Sequence, residues 1–149
     1  MDPPLRAEVD RRALVEAVTS GEIDAVVTDH RPTPFDDKGE PFALAIAGTM
    51  SLETALGAML GLVHDGQLEL IDALRVMTSG PADLLGLPQG RIAEGAPADL
   101  ILIDGDKPWV CDPDRFHSAR GNCAWAGRRF QGQVLQTLIG GVTIYNQKA

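Results

Sequence analysis

The sequence predicts an α/β protein that ends in a β-rich layer, and three observations carry this prediction. A helical pattern at residues 9–18 leads directly into a short β-branched run at 23–29; further helical patterns follow between 51 and 85; and beyond Leu87 the chain turns to apolar alternating stretches punctuated by glycine. Its 149 residues, 44% of them hydrophobic, match one ordinary domain with enough apolar material for a core.

Taken in order, residues 9–18 set Ala13, Leu14, Ala17 and Val18 on one face, which predicts a short amphipathic helix ending near Gly21. The run IDAVVTD at 23–29 is too short for a helix and rich in β-branched residues. It predicts a strand buried on both faces, as parallel strands are. Over 51–64 the pattern SLETALGAMLGLVH predicts a helix with Glu53 in its first turn, where an acid complements the dipole. Residues 71–78 and 81–85 predict a second helical region broken at SGP, where Pro81 can open a new helix. These helices are expected to cover a parallel sheet. A Gly-Ala-Pro turn then leads into an apolar strand at 100–103, flanked by Asp99 and Asp104 in turn-fixing positions, and 132–146 reads as two alternating strands joined at Gly140-Gly141. Residues 107–130 hold both tryptophans and both cysteines and show no regular pattern, so they are expected to be loop.

Composition narrows the function classes. With 21 acidic against 13 basic residues the formal net charge is -8, and no Lys/Arg cluster is present to follow a phosphate backbone, which argues against nucleic acid as a partner. No run reaches the roughly 18 apolar residues of a membrane span. The N-terminal stretch MDPPLRAEVDRR lacks the apolar core of a signal peptide, which points to the cytoplasm. Cys111 and Cys123 lie outside any C-x-x-C spacing, so free thiols are expected rather than a disulfide framework or a structural zinc site.

Five segments carry a family resemblance: PPLR at 3–6, GEIDAVVTDHRP at 21–32, SLET at 51–54, GRIAEGAPADLILID at 90–104 and GQVLQTLIGGVTIY at 132–145. In order and spacing they resemble the C-terminal portion of a dihydroorotase of the amidohydrolase superfamily. The 90–104 element is common to many amidohydrolases. PPLR, the strand ending in TDHxP, the LET helix start and the S-x-x-x-N segment at 118–122 are the more pointed set. The resemblance implies that residues 1–87 are the C-terminal part of a metal-dependent hydrolase (β/α)8 barrel, its last strand and helices. It also implies that 88–149 contribute the C-terminal strands, with an irregular loop, to a flanking small β-sandwich. The family's other metal ligands, an H-x-H pair, a mid-barrel Lys or Asp and further histidines, fall on strands not in this chain.

In such barrels catalytic groups sit at the C-terminal ends of strands, where Asp29 falls. Opening a cyclic amide calls for a nucleophile stronger than water, and bound Zn2+ supplies one by lowering the pKa of its water to roughly 7. The resemblance gives Asp29 two roles: metal ligand, and the carboxylate that takes the proton during attack and returns it to the departing nitrogen. Read from its tripeptide alone, Asp29 better suits a cap on the following turn.

The neighbours depart from the family. Thr33 replaces a histidine that contacts the substrate carboxylate, and Asp2 replaces a substrate-binding Asn ahead of PPLR. Arg31 stands where Ala is usual and can supply a cation, or act as a solvated loop arginine. Ala47 and Gly48 match a loop that hydrogen-bonds the substrate in the family; small residues there also suit any turn. His30 is expected to pack or hydrogen-bond rather than ligate.

The resemblance therefore implies a hydrolase interconverting dihydroorotate and N-carbamoyl-aspartate in pyrimidine synthesis, inactive as these residues alone. Thr33 and Asp2 keep open a non-catalytic relative that serves as a scaffold for aspartate transcarbamoylase, and a hydantoinase- or allantoinase-type hydrolase is a further alternative. A barrel strand with bare edges is expected either to self-associate or to need a complementary N-terminal half.

Overall fold

Helix α1 (Glu8–Thr19) begins where Asp10 reaches back to accept the Ala7 N–H at 3.2 Å, satisfying a donor that every helix start leaves bare. The computed structural model that shows this describes residues 4–118 and 121–147. Glu8 accepts from Arg11 at 2.7 and 2.8 Å and from Arg12 at 2.9 Å; these guanidinium bonds, Arg11 first, hold its carboxyl down to about 2. Val18, on the inner face of α1, joins Met59, Leu68, Ala73 and Val76 in the core.

The chain then departs from expectation. Residues 23–29 form no strand, and they are not buried on both faces: Val27 is 81% exposed and Val26 38%. The reason is the absence of partners. A strand needs a ladder of hydrogen bonds to at least one neighbour, whereas this segment meets the rest of the described chain through isolated bonds such as Val26 N–H to the Val76 carbonyl at 2.9 Å. Ile23, Ala25 and Thr28 are half-buried, and Ile23 packs against the helical core. A single turn, α2 (Phe35–Lys38), interrupts the loop that follows.

Helix α3 (Ala55–His64) starts later than its pattern predicts, because residues 51–54 form a turn in which the Thr54 hydroxyl donates to the Ser51 carbonyl at 3.1 Å. Glu53 therefore lies ahead of the helix and not in its first turn. Two short helices follow, α4 (Leu70–Arg75) and α5 (Ser79–Leu85). Pro81 falls within the first turn of α5, where its missing N–H costs nothing. Gly86, left-handed at φ 66, ends that helix.

Among the described residues the sheet is antiparallel, with strand order β1 (Leu100–Val110), β2 (Arg129–Ile139), β3 (Val142–Asn146). The expected parallel sheet is not formed. Instead α3 lies against β2: Gly57 permits this, since a Cβ there would stand 3.1 Å from both the Phe130 and Trp109 rings. The strands also extend into the region expected to be loop, pairing Trp109 with Phe130 and Val110 with Arg129. The pattern hid this because β1 kinks between Asp104 and Pro108, where Asp104 accepts the Asp106 and Lys107 amides at 3.1 Å each. Gly140 and Gly141, both at positive φ, make the two-residue β2–β3 turn. No helix is long and apolar enough to cross a membrane among the described residues.

Candidate active site

Asp29 is the one described non-glycine residue at positive φ, 42°. Such a backbone is strained for an L-residue, though Asp tolerates it better than most, and it persists only where the surroundings impose it. Here they do. His30 Nδ1 accepts the Ser51 and Leu52 amides at 3.1 Å each, the Ser51 hydroxyl donates to the Thr28 carbonyl at 2.8 Å, and the Arg31 amide donates to the Thr49 carbonyl at 3.0 Å. The imidazole consequently carries its proton on Nε2. Residues on both sides of Asp29 are thus tied to the 49–52 loop while its own carboxylate remains half-exposed.

That carboxylate lines a cleft of about 460 Å³ shared with Arg6, Glu8, Arg11, Val27 and Gly48. The cleft brings together two of the expected site residues, Asp29 and Gly48. Arg31 lies beside it, its Nε 3.5 Å from Asp29 Oδ1, so its cation faces the carboxylate. Ala47 is half-buried and does not line the cleft. Thr33 is 4% exposed, with its hydroxyl donating to the Arg31 carbonyl at 3.4 Å, and is likewise outside the cleft. Asp2, the remaining expected substrate contact, lies outside the described residues.

Gly48 is dictated by packing. At φ 148 a side chain is disfavoured, and a Cβ would collide with the Thr33 hydroxyl and stand 2.8 Å from the Arg31 carbonyl. Its own carbonyl accepts from Asn122 Nδ2 at 2.7 Å. Asn122 is the hub that position-by-position reading passed over. Its amide donates to the Thr33 carbonyl at 3.2 Å and its carbonyl accepts the Met50 amide at 2.8 Å, while the neighbouring Ala124 amide donates to the Thr49 hydroxyl at 3.0 Å. Ser118, at the other end of the S-x-x-x-N segment, donates from its amide at 2.9 Å and from its hydroxyl at 2.5 Å to Glu53 Oε1. Burial pushes the Glu53 carboxyl up, but the Ser118 bonds, together with a backbone amide and the nearby His30, outweigh it and hold the group below its ordinary value. The signal for both residues was present in that motif and in LET; what it lacked was the information that the two meet.

A metal centre does not fit the described residues by themselves. Among them no three His, Cys, Asp or Glu side chains converge, and Asp29 offers one carboxylate where a zinc site uses about three or four protein ligands. What the arrangement does unaided is hold a carboxylate, on a constrained backbone, among the residues that line a cleft.

Comparison with known proteins identifies the family to which the whole chain is similar. Residues 2–144 match the model of the amidohydrolase family. The dihydroorotase of Wolbachia sp. subsp. Drosophila simulans (strain wRi) is 43% identical over 149 residues, covering 100% of this chain and 34% of that protein. That of Anaeromyxobacter dehalogenans (strain 2CP-1 / ATCC BAA-258) is 41% identical over 147 residues, covering 99% and 34%. Among solved structures, L-hydantoinase (dihydropyrimidinase) from Arthrobacter aurescens superposes with a TM-score of 0.90 at 30% identity, over 97% of this chain and 33% of that one. D-hydantoinase (dihydropyrimidinase) from Thermus sp. gives 0.90 at 26% identity, over 98% and 33%. The chain spans about a third of the length of the curated relatives it matches.

Proposed function

The chain belongs to the amidohydrolase family, and from that premise we propose that it is the C-terminal portion of a dihydroorotase-type hydrolase, one that opens the cyclic amide of dihydroorotate to N-carbamoyl-aspartate and closes it again. In this reading residues 1–87 contribute the last strand and helices of a (β/α)8 barrel, and 88–149 contribute strands to a flanking β-sandwich. The observation that carries the proposal is Asp29: a carboxylate held in a strained backbone at the end of the 23–29 segment, lining a cleft. Identities of 41–43% to dihydroorotases, against 26–30% to the hydantoinases, support the choice of substrate.

The chemistry assigned to this chain is proton transfer. Water adds to the ring carbonyl, Asp29 accepts its proton, and the same carboxyl returns it to the amide nitrogen as the C–N bond breaks. Closing the ring reverses these steps. The family's metal would take Asp29 as one ligand and draw the others from residues outside those described, and when bound it would activate the attacking water. On the cleft wall Arg11 is held by Glu8 through two nitrogens and Arg6 lies 3.8 Å from Asp10, so the cations there are already paired with acids.

The decisive variant is Asp29→Asn in a protein carrying the remaining two-thirds of the family's length. Asn tolerates the left-handed backbone that Ala does not. Turnover of dihydroorotate is expected to fall about 10²- to 10⁴-fold, the usual contribution of a positioned acid-base group, with the fold unchanged. Turnover equal to wild type would assign Asp29 to the turn.

Two other readings each have one observation in favour. The solved hydantoinases support a hydantoinase-type substrate, and hydrolysis of hydantoin in preference to dihydroorotate would establish it. The burial of Thr33 removes a hydroxyl from the substrate side and supports a non-catalytic scaffold for aspartate transcarbamoylase. An inactive wild-type protein that binds that partner would establish the scaffold.

A further inference from the structure

Cys111 and Cys123 are separated by twelve positions in the chain, yet their sulfurs lie 3.7 Å apart. Cys111, directly after β1, is 1% exposed and fixed by its own backbone: its amide donates to the Arg128 carbonyl and its carbonyl accepts from Gly127, both at 2.8 Å. Cys123 is half-buried in the segment before β2. It sits between Asn122 and Ala124, the two residues whose hydrogen bonds hold the Gly48 carbonyl, the Met50 amide and the Thr49 hydroxyl. A disulfide needs its sulfurs at about 2.05 Å, so the pair requires a closure of under about 2 Å, a distance that side-chain rotation can cover.

We propose that Cys111 and Cys123 are a reversible dithiol–disulfide pair that responds to peroxide, and that its closure is transmitted through Asn122 and Ala124 to the 48–50 loop of the candidate active site. The two sulfurs have different tasks. Burial first, then the contact with Cys123, pushes the Cys111 thiol up to about 12, so Cys111 remains protonated and waits. Cys123, the more accessible sulfur, meets the oxidant. Its thiolate attacks one peroxide oxygen: an S–O bond forms, the O–O bond breaks and hydroxide leaves, so that sulfur loses two electrons and peroxide gains them. The Cys111 sulfur then attacks the Cys123 sulfur; the S–S bond forms, the S–O bond breaks, and the departing hydroxide leaves as water with the Cys111 proton. A dithiol reductant reverses the change. None of this depends on the hydrolase reading.

Peptide mapping of the 149-residue chain under non-reducing conditions tests the pair. After hydrogen peroxide, one intramolecular cross-link joining the Cys111 and Cys123 peptides is expected, with a loss of about 2 Da that dithiothreitol restores. Two thiols that remain alkylatable would overturn the proposal, as would Cys123 advancing by about 32 Da to the sulfinic acid beside a free Cys111. In Cys111→Ser the cross-link should vanish and Cys123 should run on to the sulfinic acid under the same excess of peroxide; a Cys123 still recovered by dithiothreitol would refute the pairing. Amide hydrogen exchange reads the transmission. Met50 and Ala124 should exchange on the order of tenfold differently in dithiol and disulfide forms, and identical rates would separate the disulfide from the site loop.

Discussion

Single residues around the cleft are constrained from several directions, and the constraints differ in kind. Asp29 is held in a left-handed backbone by bonds made on its neighbours, whereas Gly48 is required because no side chain fits between Thr33 and Arg31. Gly48→Ala should therefore lower stability by about 1–3 kcal/mol, the cost of a strained backbone, with the clash adding to it; urea unfolding of the two chains measures the difference. Glu53 makes a pH prediction. Its folded-state pKa lies below the ordinary value of 4.5, so folding favours its ionised form; the stabilisation is present above that value and is lost as pH falls through the depressed one. Thermal unfolding followed downward from pH 6 should show this loss, and Glu53→Gln should flatten it. Of these residues, Asp29 and Gly48 were expected at the site from the family resemblance, since the tripeptide around Asp29 by itself reads as a turn cap. Thr33 was legible as a departure from the family but not as a buried residue, because its burial depends on Gly121 and Gly48 arriving from distant parts of the chain.

Among elements, the contact between α3 and β2 does most to join the helices to the sheet. Phe130 is 6% exposed, with its ring centroid 5.1 Å from that of Trp109 and 5.6 Å from that of Trp125, and it faces the bare backbone of α3 at Gly57. Phe130→Ala should cost about 3–5 kcal/mol, as removal of a buried aromatic does, and the near-ultraviolet signal of the tryptophans should weaken with it. Helices α1, α3, α4 and α5 and the β2–β3 hairpin follow from local periodicity and from turn residues, which is why they were legible. The extension of β1 and β2 to Val110 and Arg129 was not. Cross-strand pairing across an irregular register carries that region, and a period count along one strand cannot detect it.

At the scale of the whole molecule, large apolar side chains remain uncovered: Phe42 is 101% exposed, Ile92 91% and Val27 81%. Surfaces of this kind favour association, so sedimentation velocity should show a mass that rises with concentration, and mild detergent should reverse it. Metal affinity is also a whole-molecule property. With one carboxylate at the cleft and no converging ligand set among the described residues, the isolated chain should bind Zn2+ without defined stoichiometry in calorimetry; tight binding at one equivalent would show that the described residues do assemble a centre.

Sequence alone determined the family, the helices and the hairpin, because each rests on information that neighbouring residues carry: apolar spacing, a glycine pair, a motif in its proper order. Tertiary structure decided the rest. It left 23–29 without strand partners, placed Ser118 on Glu53, buried Thr33 and brought Cys111 to within 3.7 Å of Cys123. Each of these depends on residues meeting across long stretches of chain, and such meetings are set by how the elements pack, a quantity that no local pattern encodes.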